Sequence, residues 1–534
     1  MNMTGLSSRP NADQMALRLS QLIRQGKVAR ILGRIDELAR EYDDHSGVQQ
    51  AISEAAILAK DFPTAIKFAE RALELDKSNI KRQLHLAMCL IATNEQRRAG
   101  ETLRLAEQNL ADSAEQYSML ASLYVRIDEH QRAAKFYKRA IENDPTNAKH
   151  LFSLAATYRF MGKLNEAEQA CDRALALDPA EFEAYLIRAD LRKQTRESNH
   201  VEQMETVLQQ GTSNYMGEVM LCHALAKECE DLGLFKKSFD YLNRGASVRK
   251  KHLSYEVRKD LQLIDLIINT YSEESVDAIR SSGFNSSEPI FIVGMPRTGT
   301  TLVERIIGSH SKVKSVGELP NFSQEMTRMI KDQGSDEIKQ ADMVAASLKL
   351  DMKKLGESYI ESTRGITGDT EHFIDKLPFN YLNIGLIHLA LPAAKVIHVN
   401  RDPMDTCYAV YKTLFQRAYP FSYSLDDLGR YFVAYWRLMD HWHSLLPGKM
   451  HEVSYEELVT ETDRESRRLV EFCGLEWEDQ LSRFHESEVP STTASASQVR
   501  QPVYRSSVGK WRNYREQLRP IAEILEPAGI GTWQ

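Results

Sequence analysis

The chain has 534 residues, which is enough for two or three domains that each bury a core of their own. Its formal net charge of −7 is small for that length and argues against nucleic acid or an acidic membrane surface as the main partner. Six scattered cysteines without C-x-x-C spacing indicate reduced thiols, and no stretch has the length and hydrophobicity of a signal peptide or a membrane span. We expect a soluble, cytoplasmic protein.

The first half of the chain repeats with a period of 34 residues. Alanine, tyrosine and proline positions between Ala121 and Pro145 recur between Ala155 and Pro179, and the same phase extends in both directions. Small residues let paired helices approach closely, and aromatic residues fill the gaps between pairs. The pattern resembles the tetratricopeptide repeat (TPR). It predicts an all-α solenoid of roughly six to seven helical pairs over residues 12–250, with unrelated helical hairpins as the alternative.

A helical stretch and a polar, Gly/Ser-rich break at residues 281–287 follow the repeats. We therefore predict a helical linker over residues 251–288 and a second domain over residues 289–534. On this division, a chain cut near Ser254 is expected to keep any nucleotide site of the second domain.

The second domain opens with a strand, a glycine loop and a helix. Residues 290–293 are a short apolar run, as expected of a strand buried on both faces of a parallel sheet. Gly294 and Gly299 have the spacing of a phosphate-binding loop, whose backbone N–H groups point at an anion. Thr300 stands where an ATP- or GTP-binding loop carries lysine. We predict a P-loop-type α/β domain, with a parallel sheet flanked by helices, that holds a nucleotide without clamping a magnesium-bound triphosphate.

The segment from Phe291 to Thr301 resembles the 5′-phosphosulfate loop of sulfotransferases, most closely in the branch that includes the tyrosylprotein enzymes. With its repeats, the whole chain is similar to bacterial fusions of TPR repeats and a sulfotransferase domain. The resemblance implies 3′-phosphoadenosine 5′-phosphosulfate (PAPS) as donor, which has no terminal phosphates for a lysine to hold. The donor contacts that it implies in this loop are Pro296, Arg297, Thr298, Gly299, Thr300 and Thr301.

Two further residues gain a role from the resemblance. Glu318 ends a short strand beyond the loop, and Lys376 follows a strand at the sheet edge where ligands of open α/β sheets bind. The family resemblance implies that Glu318 is the general base, while Lys376 and Arg297 stabilise charge on the phosphosulfate. A solvated surface carboxylate is the alternative for Glu318, and a salt bridge with Asp375 or another neighbour is the alternative for Lys376.

Arg401 ends a second buried apolar run, where a triphosphatase would present a magnesium-binding aspartate. Its guanidinium suits bidentate capture of a phosphate, and the segment resembles the 3′-phosphate site of sulfotransferases. In that family a serine follows eight residues later, whereas this chain has Ala409. The candidates to replace that serine are Thr406, Cys407 and Lys412.

The rest of the second domain adds fewer predicted contacts. The resemblance implies that Tyr455 contacts the nucleotide and that a Ser/Thr-rich mobile loop covers the 3′-phosphate. The contacts expected from that loop are Ser495, Arg505 and Lys510. The aromatic-rich stretch 415–446 is predicted to be core rather than a binding wall. No metal is expected, and three histidines without metal-ligand spacing are predicted to be structural, namely His398, His441 and His443.

These patterns predict a PAPS-dependent sulfotransferase that acts on a hydroxyl, in which Glu318 deprotonates the acceptor. The size of the repeat region favours a macromolecular acceptor, such as a protein tyrosine or a glycan, held in the TPR groove; homo-oligomerisation is the other use of such repeats. A nucleotide kinase would need the loop lysine and a magnesium carboxylate. A TPR scaffold with an inactive or merely nucleotide-binding domain would need a broken donor site, and Ala409 is the one hint of that.

Overall fold

The computed structural model describes residues 11–93, 95–279, 283–334, 340–415, 418–486 and 505–531. Contacts divide the chain into two compact units, residues 1–191 and residues 192–534. None of the described helices combines the length and the hydrophobicity that a bilayer crossing requires.

The first unit consists of successive helical pairs, as the 34-residue period predicts. Its helices are α1 Ala12–Arg24, α2 Ala29–Leu32, α3 Ile35–Glu41, α4 Ser46–Leu58, α5 Phe62–Leu75, α6 Ile80–Ala92, α7 Gln96–Glu107, α8 Ala114–Arg126, α9 His130–Asn143, α10 Ala148–Phe160, α11 Leu164–Leu177 and α12 Phe182–Asp190. Ala65, Ala99, Ala133 and Ala167 occupy the same repeat position and are all fully buried. Because an alanine at this position lets two helices pack closely, the sequence period and the helix pairing have one cause.

The second unit begins with helices of the same kind. They are α13 Val201–Gln210, α14 Tyr215–Asp231, α15 Phe235–Lys251, α16 Val257–Thr270 and α17 Glu273–Asp277. Helices α14 and α15 form a hairpin in which the Ser238 hydroxyl donates to the Ala226 carbonyl at 2.7 Å. By contacts, this hairpin groups with the residues after it. The domain limits at residues 250 and 288 stay predictions.

A parallel five-stranded sheet, in the order β2-β3-β1-β4-β5, follows the hairpin. The strands are β1 Pro289–Val293, β2 Val313–Ser315, β3 His372–Asp375, β4 Lys395–Asn400 and β5 Met450–Ser454. Strand β1 lies at the centre, where Ile290 pairs with Ile374 on one side and Lys395 on the other. The predicted parallel sheet is confirmed. Because all strands run the same way, the segments that follow β1, β3 and β4 meet at one edge.

Helices cover both faces of this sheet. They are α18 Thr300–Gly308, α19 Asn321–Asp332, α20 Gln340–Ser347, α21 Met352–Thr367, α22 Ile384–Ala390, α23 Pro403–Tyr411, α24 Leu425–Leu445, α25 Tyr455–Thr460, α26 Thr462–Phe472 and α27 Arg519–Leu525, with 3-10 helices at Pro378–Asn383, Pro420–Tyr423, Asp479–Glu486, Lys510–Tyr514 and Glu526–Ala528. Alternate side chains of β1 enter two cores, Ile290 and Ile292 on one face and Phe291 and Val293 on the other. The second core also contains Phe239 of α15, so the hairpin packs as part of this domain.

Candidate active site

The loop between β1 and α18 can only be built with glycine at two positions. Gly294 has φ +150°, and a Cβ there would lie 2.5 Å from the Val399 carbonyl oxygen of β4. Gly299 has φ +106°, and a Cβ there would lie 2.5 Å from the Tyr455 ring. As the N-cap of α18, Gly299 offers no side chain to accept the first helical N–H groups. The loop therefore presents those N–H groups, with the positive end of the helix dipole, to an anion.

Arg401 and Tyr455 lie beside this loop. The Arg401 side chain is only 7% exposed, and its Nη1 donates to the Arg297 carbonyl oxygen at 3.2 Å. Its guanidinium carbon lies 4.8 Å from the centre of the Tyr455 ring. The Tyr455 hydroxyl lies 2.7 Å from Oγ of Ser507, and Nη2 of Arg401 donates to the Ser507 carbonyl. Four separate stretches of chain thus converge on one cationic site.

Lys376 and Glu318 form an ion pair at the same sheet edge. Nζ of Lys376 lies 2.6 Å from Oε1 of Glu318, and the backbone N–H of Lys376 donates to the Gly317 carbonyl at 2.9 Å. The Lys376 side chain is 1% exposed, whereas the Glu318 side chain is 48% exposed. The partner of Lys376 is therefore Glu318. A buried cation is held next to a carboxylate that solvent can reach.

Asp405, at the start of α23, attaches the C-terminal segment to this site. Its buried carboxylate accepts hydrogen bonds from the backbone N–H groups of Gly509 at 2.5 Å and Trp511 at 3.0 Å. It also lies 3.7 Å from Nη2 of Arg401. A single carboxylate therefore ties the segment around Lys510 to the end of β4.

Residues 289–479 match the sulfotransferase family, and residues 56–123, 116–149 and 136–169 match tetratricopeptide repeats. The chain joins tetratricopeptide repeats to a sulfotransferase-family domain.

Similar proteins differ in how much of this chain they share. A relative from Aquifex aeolicus (strain VF5), described as an uncharacterized protein, is 33% identical over 332 residues, which cover 61% of this chain. The match spans only 44% of that relative's length. A putative protein-tyrosine sulfotransferase of Caenorhabditis briggsae is 26% identical over 46% of this chain and 91% of its own length. The solved sulfotransferase domain from the Synechococcus PCC 7002 olefin synthase is 17% identical, covers 45% of this chain and 96% of its own, and superposes with a TM-score of 0.33.

Within the sulfotransferase domain, the loop residues that are predicted to bind PAPS lie together with Arg401 and Tyr455. Lys376 lies next to Glu318. Two other predicted contacts have different surroundings. Nη2 of Arg505 donates to the Thr460 carbonyl at 2.8 Å, and Lys510 forms an ion pair with Glu230 of α14. Ser495 lies outside the described residues.

The three candidates near Ala409 have different neighbours. The Cys407 thiol is completely buried, and this burial raises its pKa. The Thr406 hydroxyl donates to the Arg401 carbonyl at 3.3 Å, while Nζ of Lys412 lies 3.2 Å from Oε1 of Glu230. Lys412 is thus the candidate that brings a cation toward the segment of Lys510.

Sequence reasoning considered Asp375 only as an alternative salt-bridge partner of Lys376. Its carboxyl accepts from the Tyr359 hydroxyl at 3.0 Å and from the Leu319 N–H at 3.4 Å. Complete burial raises the pKa of Asp375 to about 7, against the opposing effect of these hydrogen bonds. Asp375 therefore fixes the backbone on both sides of the Lys376–Glu318 pair. Its adjacency to Lys376 was the available signal.

Two of the three histidines predicted to be structural lie together in the fold, and their structural role stays a prediction. His398 and His443 come together with Glu452, because β4, β5 and α24 meet at a cavity of about 280 Å³ that also reaches Thr298 and Arg401. Each imidazole lies 3.8 Å from the Glu452 carboxylate, at atoms close enough to share an ion. Burial lowers the pKa of His398 to about 3, and its Nε2 lies 2.6 Å from the Tyr435 hydroxyl. Strand register, which pairs His398 with Glu452, was not visible in the sequence.

Proposed function

We propose that this chain transfers a sulfonate group from PAPS to a hydroxyl group of a macromolecular acceptor. The observation that carries the proposal is the pairing of buried Lys376 with exposed Glu318 at 2.6 Å, at the sheet edge that also bears the glycine loop and Arg401. A family match over residues 289–479 supports the same reaction class.

The loop and its neighbours would bind the donor through charge. The first N–H groups of α18 and the Arg297 side chain would contact the 5′-phosphosulfate. Arg401 would contact the 3′-phosphate, and the Tyr455 ring, which lies against Gly299, would contact the nucleoside. No lysine follows Gly299, so the loop favours a donor without a magnesium-bound terminal phosphate.

In the transfer, the acceptor oxygen would attack sulfur in line with the bond to the 5′-phosphate. The proton of the acceptor hydroxyl would pass to Glu318. The S–O bond to the phosphate would break, and 3′-phosphoadenosine 5′-phosphate would leave with the electron pair. Lys376 would stabilise the charge that grows on the leaving oxygen, and because it is buried, this interaction would be stronger than at the surface. None of these steps requires a metal.

The acceptor class rests on the repeats and on a distant relative. Stacked helical pairs offer a groove suited to extended chains, and a Caenorhabditis briggsae relative is described as a putative protein-tyrosine sulfotransferase. We propose a protein tyrosine or a glycan as acceptor. All six cysteines are free and buried, which supports a reducing compartment such as the cytoplasm.

Nucleotide binding tests the donor assignment. Calorimetry should detect binding of 3′-phosphoadenosine 5′-phosphate in the absence of magnesium. It should show no comparable binding of magnesium-ATP. Arg401→Met should reduce the preference for 3′-phosphoadenosine 5′-phosphate over adenosine 5′-phosphate by about tenfold or more. The matched control is Arg430→Met, because Arg430 is exposed and pairs with Asp426 on helix α24 at 2.9 Å. If the unaltered protein binds 3′-phosphoadenosine 5′-phosphate and adenosine 5′-phosphate with equal affinity, a 3′-phosphate site is excluded. Binding without transfer of labelled sulfonate would favour the scaffold with an inactive domain.

A further inference from the structure

Glu230 connects the α14–α15 hairpin to α23 and to the 3-10 helix Lys510–Tyr514. Its carboxylate lies at the end of α14, and the side chain is only 11% exposed. Oε1 faces Nζ of Lys412 at 3.2 Å and also pairs with Nζ of Lys510. Oε2 accepts from the hydroxyls of Tyr514, at 3.1 Å, and of Tyr408. Both oxygens are therefore fully used by donors from α23 and from the 3-10 helix Lys510–Tyr514.

The charges of this cluster depend on one another. Burial alone would raise the pKa of the Glu230 carboxyl, yet Lys412 and Lys510 together hold it at about 2. Burial lowers the pKa of Lys412 to about 8, although Glu230 favours its charged form. Lys510 and Arg297 of the donor loop both disfavour that charged form, because they are cations nearby. Glu230 is thus the shared counter-ion of Lys412 and Lys510.

The same cluster is fixed to Arg401. Lys510 lies between Gly509 and Trp511, whose N–H groups bind Asp405, and Asp405 lies 3.7 Å from Arg401. Lys412 immediately follows α23, the helix that bears Asp405. A change in the position of Lys412 or Lys510 would therefore be transmitted to the groups that hold Arg401.

We infer that Glu230 is a positioning residue of the donor site, which holds the ammonium groups of Lys412 and Lys510 in place for an anionic nucleotide. The inference rests on the proposed function, and it makes the α14–α15 hairpin a working part of the catalytic domain. A different role would be a plug, in which Glu230 occupies the lysines until a donor phosphate displaces it. The two roles predict opposite changes in affinity when the charge is removed.

The test is Glu230→Gln in the full chain, with 3′-phosphoadenosine 5′-phosphate as the probe in calorimetry. Positioning predicts that affinity falls about tenfold or more, because the two ammonium groups lose their shared counter-ion. KM for PAPS should rise while kcat changes less. The matched control is Glu218→Gln, which removes a carboxylate on the same helix that pairs with Arg244 of α15 at 2.7 Å. This control should bind the nucleotide as the unaltered protein does.

The pH dependence separates positioning from a general loss of stability. Without Glu230 the pKa of Lys412 should fall further below its present value of about 8. A lysine loses its charge as the pH rises through its pKa, so nucleotide affinity of Glu230→Gln should fall between about pH 6 and about pH 8. Up to about pH 7, which lies below the Lys412 pKa of about 8, the unaltered protein should keep most of its affinity.

Each outcome decides one point. Unchanged affinity in Glu230→Gln overturns the inference, and increased affinity replaces it with the plug. If Glu230→Gln does not fold, Glu230→Asp replaces it in the test, because the shorter side chain keeps the charge but cannot reach all four donors. Nucleotide affinity of Glu230→Asp between that of the unaltered protein and no binding then supports positioning. Nucleotide affinity equal to that of the unaltered protein overturns it. Failure of the unaltered protein to bind 3′-phosphoadenosine 5′-phosphate would instead reject the proposed function.

Discussion

Glu318 and Lys376 differ in exposure in the way that their proposed roles require. A general base must reach the acceptor from solvent, whereas a cation on the leaving oxygen acts most strongly when water is excluded. Glu318 is half exposed and Lys376 is buried. Their ion pair also fixes the direction of the carboxylate.

Glu318→Gln should therefore lower kcat by roughly two to four orders of magnitude, because the amide cannot accept the acceptor proton. Affinity for 3′-phosphoadenosine 5′-phosphate should barely change. Rates of labelled sulfonate transfer measure the first effect, and calorimetry measures the second. Glu325→Gln is the control, since Glu325 pairs with Arg328 on the same helix, α19, at 2.7 Å. Turnover at the rate of the unaltered protein would exclude Glu318 as the base.

The contribution of Asp375 to the free energy of unfolding depends on pH. Its folded-state pKa of about 7 lies above the value of an unfolded aspartate, so ionisation favours the unfolded chain as the pH rises between these two values. Asp375→Asn cannot ionise. Its free energy of unfolding relative to the unaltered protein should increase from about pH 4 to about pH 7, by up to about 4 kcal/mol. Urea unfolding at several pH values measures this difference, and a constant difference would contradict the assignment.

At the scale of elements, the strand–loop–helix at residues 289–308 was predictable because its signal is local. A continuous apolar run, two glycines and an amphipathic helix require no knowledge of the rest of the chain. Ile290 to Val293 are all buried, and the two glycines have backbone angles that other residues avoid. The contact of Gly299 with Tyr455, in contrast, joins positions far apart in sequence and is visible only in the structure.

Gly299→Ala should damage this element in two ways. The new methyl group would lie 2.5 Å from the Tyr455 ring, and φ +106° is strained for alanine. We expect nucleotide affinity to fall by about tenfold or more, with a lower melting temperature. Gly365→Ala is the control, because Gly365 lies in helix α21 with nothing within 4 Å of an added methyl group, and alanine favours a helix. Unchanged nucleotide affinity in Gly299→Ala would argue against the loop as donor site.

At the scale of the whole molecule, periodicity predicted the helical pairs but not which of them pack against the second domain. Helices α14 and α15 follow the repeat pattern, with buried Ser238 and Gly245, so the sequence groups them with the TPR region. Phe239 of α15 nevertheless stacks on Tyr411 at 5.6 Å, and Glu230 of α14 binds Lys412 and Lys510. Such contacts have no local signature. They depend on which buried surface the hairpin finds when the chain folds.

The place to divide the chain follows from these contacts. A chain that begins at Arg192 keeps α13–α16 and Glu230, whereas one that begins at Ser254 loses the α14–α15 hairpin. The first should fold and bind 3′-phosphoadenosine 5′-phosphate as tightly as the full chain. The second should lose nucleotide binding and expose the apolar surface that Phe239 and Leu242 cover, and should therefore aggregate.

Calorimetry and a sizing column compare the two truncated chains. A chain from Ser254 that stays monomeric and binds the nucleotide normally would show that the hairpin is dispensable.

The chain from Arg192 also tests whether the repeats recruit the acceptor, because it retains the donor site but lacks the repeats of residues 1–191. If those repeats hold the acceptor, this chain should still transfer labelled sulfonate to a small phenol, but lose transfer to the macromolecule that the full chain modifies. Full transfer to that macromolecule, with only a change of oligomeric state, would assign the repeats to assembly.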